Sequence, residues 1–184
     1  MGYRRRRKTT AKKWSRKVLG LVVLAALSLA GYLTWAPEGD LQPARVTRVV
    51  DGDTIDVILA GGREERVRLI GVNAPESRGK VEPYGKEASA YAEKRLQGRN
   101  VYLEMDVGER DKYGRLLAYV WLEPPQAASE EEIRAKMFNA ELLLHGYAQV
   151  MTVPPNVKYS SLFVELEREA RNEGRGLWGL KERL

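Results

Sequence analysis

Residues 49–76 read VVDGDTIDVILAGGREERVRLIGVNAPE, and their pattern decides the fold. Val, Ile and Thr dominate two short runs, 45–50 and 54–59, which read as strands. Asp51-Gly52-Asp53 between them is turn chemistry. Ala60-Gly61-Gly62 turns the chain again into a third strand over 64–72, and Pro75 ends it. Three sequential strands in a meander open a small antiparallel barrel. The stretch also carries groups that a strand does not need. Asp51, Asp53 and Glu76 are carboxylates near strand ends, Arg68 is a lone guanidinium inside VRLI, and Asn73-Ala74-Pro75 is a turn that presents oxygens. Hard oxygen donors beside arginine suit a divalent metal and a phosphate.

Downstream, residues 84–97 place Ala88, Tyr91, Ala92 and Leu96 at helical spacing, with Gly98 as the stop. NVYLEMD (100–106) alternates like a strand, and RLLAYVWL (115–122) is the most apolar one. Ser129-x-x-Glu132 is a capping box heading one helix, with Ile133, Met137, Ala140 and Leu144 as its buried stripe and Gly146 at its end. Residues 160–172 form a third helix, and Trp178 is expected to fold back onto the body. The expected order is β-β-β-α-β-β-α-α. Five antiparallel strands with a helix between the third and fourth is the pattern of an OB-fold barrel, here an α+β barrel with three helices.

The chain has 184 residues, 43% of them hydrophobic and 30% charged, which fits one globular core. It has no cysteine, so disulfide frameworks and thiolate metal sites are excluded. The net charge of +6 is misleading. Nine Lys/Arg and no acid fall within residues 1–17, leaving 22 basic against 25 acidic residues elsewhere. The body is therefore not a broadly basic nucleic-acid binder. Residues 18–37 carry no charge, and a helix of that length spans roughly 30 Å, a bilayer core. Tyr32 and Trp35 suit an interfacial belt, and the flanking charges put the N-terminus in the cytoplasm. The division expected is a basic cytoplasmic segment (1–17), a transmembrane signal anchor (18–36), a linker (37–43), a barrel domain (44–180) that carries the site, and a tail (181–184). The alternative is a signal peptide cut after Ser28-Leu29-Ala30, giving a secreted protein. The length of the apolar stretch favours the anchor.

Four motifs, VVDGDT (49–54), VRLIGVNAPE (67–76), EPYGKEAS (82–89) and DKYGRLLAYV (111–120), resemble the staphylococcal nuclease family in order and spacing, over residues 45–178. The resemblance implies an OB-fold nuclease that uses Ca²⁺ to hydrolyse DNA and RNA to 3′-phosphate products, acting as a monomer with no protein partner. By position it implies Asp53, Asn73 and the Ala74 carbonyl as metal ligands. Glu76 falls on the general base or water-orienting carboxylate, Arg68 and Arg115 on the phosphate-binding arginines, and Lys112 and Tyr113 on residues that contact a terminal phosphate. The chain departs from the family twice. Asn73 stands where the reference pattern has Asp, which removes one negative charge from the metal site. The reference enzyme's stacking aromatics align near Gln149 and Met151, which do not stack.

Read singly, these residues have blander roles. DGDT alone is a hairpin turn, and Arg68 alone is a strand arginine reaching for solvent. Asp106, Glu109 and Asp111 read as a solvated acidic loop, and Asp51 as mainly structural, with a supporting role behind the metal ligands as the alternative. His145, the single histidine, suits a helix C-terminus and is not expected to be catalytic. A second class stays open: a catalytically weak OB-fold module that binds nucleic acid or peptide.

Overall fold

A computed structural model describes residues 41–183, apart from residue 128. Its strands are β1 (Gln42–Asp51), β2 (Thr54–Leu59), β3 (Glu64–Leu69), β4 (Gly71–Asn73), β5 (Asn100–Glu104), β6 (Leu116–Trp121) and β7 (Gln149–Met151). Its helices are α1 (Gly85–Leu96), α2 (Glu130–Lys136), α3 (Phe138–Leu144) and α4 (Ser160–Asn172), followed by a 3₁₀ helix, Gly176–Arg183.

The barrel is closed, in the order β1-β2-β3-β6-β5. Alternation does what it should: Val46, Ile55, Val57, Leu59, Val67 and Leu69 are buried on its inner side. β1 is long enough to pair with both β2 and β5, and register shifts after Val46 and Val49 let it bend round. One pairing departs from the expected all-antiparallel barrel, because β3 and β6 run parallel, with Arg68 opposite Leu117. That pair closes the barrel, and α1 lies between its strands in the chain.

Two expected elements are divided. The strand expected over 64–72 breaks at Gly71, whose φ is 77° and whose missing side chain makes room for the Phe163 ring, 2.7 Å from where a Cβ would stand. Past the break, β4 leaves the barrel and pairs with β7. The helix expected from Ser129 to Gly146 breaks at Met137, which is extended and bridges to Trp121, while Leu122 N–H donates to the Lys136 carbonyl at 2.8 Å. Pairing with the end of β6 has overridden helix propensity there. Half of the capping box forms: Ser129 Oγ accepts from Glu132 N–H, but the Glu132 carboxylate turns to Gln126 N–H. Trp178 folds back as expected and lies under the Arg171 guanidinium, 3.7 Å away. The expected anchor falls outside the described residues. Among the described residues no helix is long and apolar enough to cross a membrane.

Two buried polar groups fix the elements that carry the site. Asn139, fully buried on α3, accepts from Val120 N–H and donates to the Ile70 carbonyl, both at 2.8 Å. This holds β6 against the residue just before β4. Glu141, two residues on, accepts Tyr91 Oη–H and the Nε–Nη2 edge of Arg95, tying α3 to α1. Burial alone raises the Glu141 carboxyl, but the Arg95 and Tyr91 hydrogen bonds, with His145 nearby, outweigh it and hold its pKa below the usual value. A lowered folded-state pKa contributes stability above the unfolded value, near 4.3, and loses it as pH falls through the folded one. Glu141→Gln should therefore lower the melting temperature at pH 7. The gap should begin to narrow as pH falls below the unfolded value, about 4.3, and close only once pH is below the lowered folded value, since the ionised carboxylate makes the tie.

Candidate active site

The site grows from the β1–β2 turn. Asp53 is 7% exposed, and Arg68 on the neighbouring strand is 8% exposed. Antiparallel pairing sets Thr54 opposite Arg68, and Arg68 Nη2 reaches Asp53 Oδ2 at 3.0 Å. The Asp53 carboxylate also accepts Ala74 N–H at 2.8 Å and Thr54 Oγ1–H at 2.9 Å. Arg68 donates to the Leu69 and Val72 carbonyls at 2.8 and 2.7 Å and to Asn73 Oδ1 at 3.0 Å. One guanidinium thus gathers the β3 end, β4 and the Asn73 turn onto Asp53. Burial raises the Asp53 carboxyl while Arg68 and the Ala74 N–H pull it down, and burial likewise lowers Arg68 against the pull of Asp53.

The 111–115 loop brings the second arginine. The parallel β3–β6 register carries Arg115, just before β6, to the Arg68 side of the barrel, where its charge acts on the Arg68 guanidinium. Arg115 Nε donates to Asp111 Oδ2 at 2.6 Å, and Asp111 Oδ1 accepts the Tyr113 and Arg115 N–H groups at 2.9 and 3.0 Å. Asp111 is thus the loop's organiser and not a solvated acid. Asp106 is similarly engaged, accepting from Tyr119 Oη–H and Lys158 N–H. Tyr113 is 73% exposed, with Lys112 Nζ 5.0 Å and Arg115 Cζ 5.5 Å from its ring. A hollow of about 520 Å³ opens here, lined by Arg68, Tyr113 and Arg115 on one side and by Met151, Val153 and Pro154 on the other.

Glu76 is exposed and within electrostatic reach of Arg68, and three contacts fix its backbone. Glu82 N–H donates to the Glu76 carbonyl at 2.9 Å, Glu82 Oε2 accepts Glu76 N–H at 3.1 Å, and Gly85 packs onto the Glu76 carbonyl. A Cβ on Gly85 would stand 2.2 Å from that oxygen. Gly85→Ala should therefore displace Glu76 and cut turnover at least tenfold while α1 persists in circular dichroism, since the clash is with backbone. Unchanged turnover would show that the Glu76 backbone position is immaterial.

Partial desolvation, then a hydrogen bond and charge from Asp51, raises the Glu76 carboxyl, with Asp53 adding to it. Among the described residues, no three carboxylate or histidine side chains converge as a ready metal shell. The donors are nevertheless hard oxygens: Asp53, with Asp51 and Glu76 within electrostatic reach and the Asn73 amide and Ala74 backbone beside it. Mutual repulsion of this kind is relieved by an oxygen-preferring cation completed by carbonyls and water, so the residues present fit Ca²⁺.

The eight residues expected to form the site thus lie in one neighbourhood. Asp53, Arg68, Asn73 and Ala74 share direct hydrogen bonds, Glu76 and Arg115 lie within electrostatic reach of them, and Lys112 and Tyr113 form the rim. Asp51 does more than close a turn, since it faces Glu76. His145 packs edge-on against Tyr91 at 5.8 Å, a structural place.

The family described as "Staphylococcal nuclease homologue" matches residues 66–179. The chain belongs to the staphylococcal nuclease family. It is a nuclease of that family, a hydrolase. The thermonuclease of Staphylococcus intermedius is 43% identical over 136 residues, covering 72% of this chain and 74% of the relative. The thermonuclease of Staphylococcus hyicus is 37% identical over 140 residues, 74% of this chain and 76% of the relative. An endonuclease of Bacillus subtilis is 38% identical over 136 residues, 71% of this chain and 59% of the relative.

Proposed function

We propose that this nuclease hydrolyses phosphodiester bonds of DNA and RNA in a Ca²⁺-dependent reaction that leaves 3′-phosphates. The observation that carries the reading is the buried Asp53–Arg68 pair with Arg115 and Glu76 both within electrostatic reach of Arg68, the two arginines lining one hollow. Asp53, Asn73 and the Ala74 carbonyl would hold the cation, with Asp51 adding charge. When bound, Ca²⁺ supplies Lewis-acid polarisation of a phosphate oxygen. Arg68 and Arg115 offer planar forks to the other nonbridging oxygens, where negative charge grows as water adds. Glu76 takes the proton of the attacking water or holds that water in line, and its raised pKa makes it a better base near neutral pH. The P–O5′ bond breaks, the 5′ oxygen takes a proton from solvent, and phosphate stays on the 3′ carbon. Lys112 and Tyr113 at the rim suit a terminal phosphate.

The test is end-group analysis of digested DNA and RNA. New 3′-phosphate ends that dephosphorylation converts to 3′-hydroxyls support the reading, and 5′-phosphate ends overturn it. Asn73 favours a second reading, a weak or binding-only module, because an amide replaces a charged ligand and is held by Arg68. Asn73→Asp should tighten Ca²⁺ binding in calorimetry, and no change would remove Asn73 from the ligand set. Residues 18–36 are proposed as a single-pass anchor with the nuclease outside the cell. N-terminal sequencing of the cell-associated protein separates an intact N-terminus from one cut after Ala30.

A further inference from the structure

We propose that a second, open groove beside the active site holds the backbone of single-stranded nucleic acid flanking the scissile phosphate, with Arg48 and Arg66 as its cations. The inference rests on the nuclease reading and names the substrate's length. The groove, about 810 Å³, lies over β1, β2 and β3 and is lined by Arg48, Asp56, Arg66, Tyr113 and Arg115 among others. Tyr113 and Arg115 also line the active-site hollow, so one loop forms a wall of both. A strand leaving the hollow past Tyr113 enters the groove directly.

The cations are placed, not incidental. Arg48 on β1 and Arg66 on β3 both pair with Asp56 on the strand between them. Arg48 uses Nε and Nη2 on Asp56 Oδ2, at 2.9 and 2.6 Å. Arg66 uses Nε on Oδ1 at 2.7 Å and Nη2 on Oδ2 at 3.2 Å. One carboxylate thus orients two guanidinium groups and cancels only one of their charges. Nη1 of each has no protein partner among the described residues, and the side chains stay 55% and 47% exposed. Arg66 also stands two residues from Arg68 on the same face of β3, about 7 Å along the strand, in line with the scissile phosphate's own arginine. Of the acids in the wall, Glu65 is met by Arg63 and Arg110, which leaves Glu64 as the opposing charge. Tyr113, exposed between the two recesses, offers a face on which any base can stack. Placed cations, a shared aromatic and the β2–β3 face of an OB barrel are the parts of a sequence-tolerant single-strand site.

The experiment uses the full chain and a labelled 12-nucleotide single strand in chelator, read by fluorescence anisotropy across a salt series. A dinucleotide cleaved in Ca²⁺ is the short control. Arg48→Gln/Arg66→Gln should weaken 12-mer binding about tenfold at 0.15 M salt and reduce the salt slope by about 1.4, two single-strand phosphate contacts. Dinucleotide turnover should not change. Glu64→Lys should tighten 12-mer binding and steepen the slope, so the test does not depend on a loss-of-function variant that folds poorly. Unchanged 12-mer affinity in both variants, or an equal loss on the dinucleotide, overturns the groove. If wild type cleaves neither substrate in Ca²⁺ yet 12-mer binding still needs Arg48 and Arg66, the nuclease chemistry fails and the groove stands.

Discussion

Arg115→Ala is expected to lower kcat on DNA by about 10²–10³-fold, roughly 3–4 kcal/mol of transition-state stabilisation, with a much smaller change in KM. The fold should scarcely notice. Arg115 is partly exposed, and its ion pair with Asp111 is of the near-surface kind that contributes at most about 1 kcal/mol. Once the side chain is gone, Asp111 keeps its hydrogen bonds from the Tyr113 and Arg115 N–H groups, so the loop stays organised. Single-turnover kinetics with thermal melts check both halves. A variant that cleaves like wild type would remove Arg115 from the chemistry. One that loses kcat and melting temperature together would make it a structural residue.

Arg68 should behave differently, because it is both support and reagent. Its guanidinium is buried, binds two carbonyls, Asn73 and Asp53, and is the countercharge of a carboxylate that is itself buried. Arg68→Ala leaves that carboxylate without its cation, a change that typically costs about 3–5 kcal/mol. Activity should fall to background in the same variant. Arg68→Lys separates the two roles: a single ammonium restores the charge but cannot span four acceptors or fork onto a phosphate. It should recover part of the stability, as read by urea denaturation, and little of the rate. Stability within about 1 kcal/mol of wild type in Arg68→Ala would mean that the pair does not hold the site together.

How much of the structure is legible in the sequence depends on the kind of interaction. The barrel strands were legible because Val, Ile, Leu and Thr gather in runs of five or six residues, and the DGD and AGG turns punctuate them. β4 and β7 were not, since three-residue strands have no period to read, and the Phe163 ring that lies over Gly71 comes from a distant helix. The split at Met137 was invisible for a similar reason, because the stripe Ile133, Met137, Ala140 continues across a break imposed by Trp121. In the site, residue identities were readable from spacing and resemblance, but their partners were not. That Arg68 spends its donors on Asp53, Asn73 and backbone, that Asp111 grips Arg115, and that Asp51 faces Glu76 are long-range or loop contacts that sequence order does not encode. The groove over β1–β3 is likewise a product of register, which alone sets Arg48, Asp56 and Arg66 in one row.

The central claim is that oxygen donors around Asp53 hold a cation beside two guanidinium groups so that water can break a phosphodiester. Its most direct test is the initial rate of single-stranded DNA cleavage by the full chain, followed from excess chelator into millimolar Ca²⁺. The expected result is cleavage that rises from background to a plateau with free Ca²⁺ and is abolished when chelator is restored. Equal cleavage in chelator, or bound but uncut DNA at every Ca²⁺ concentration, would contradict it.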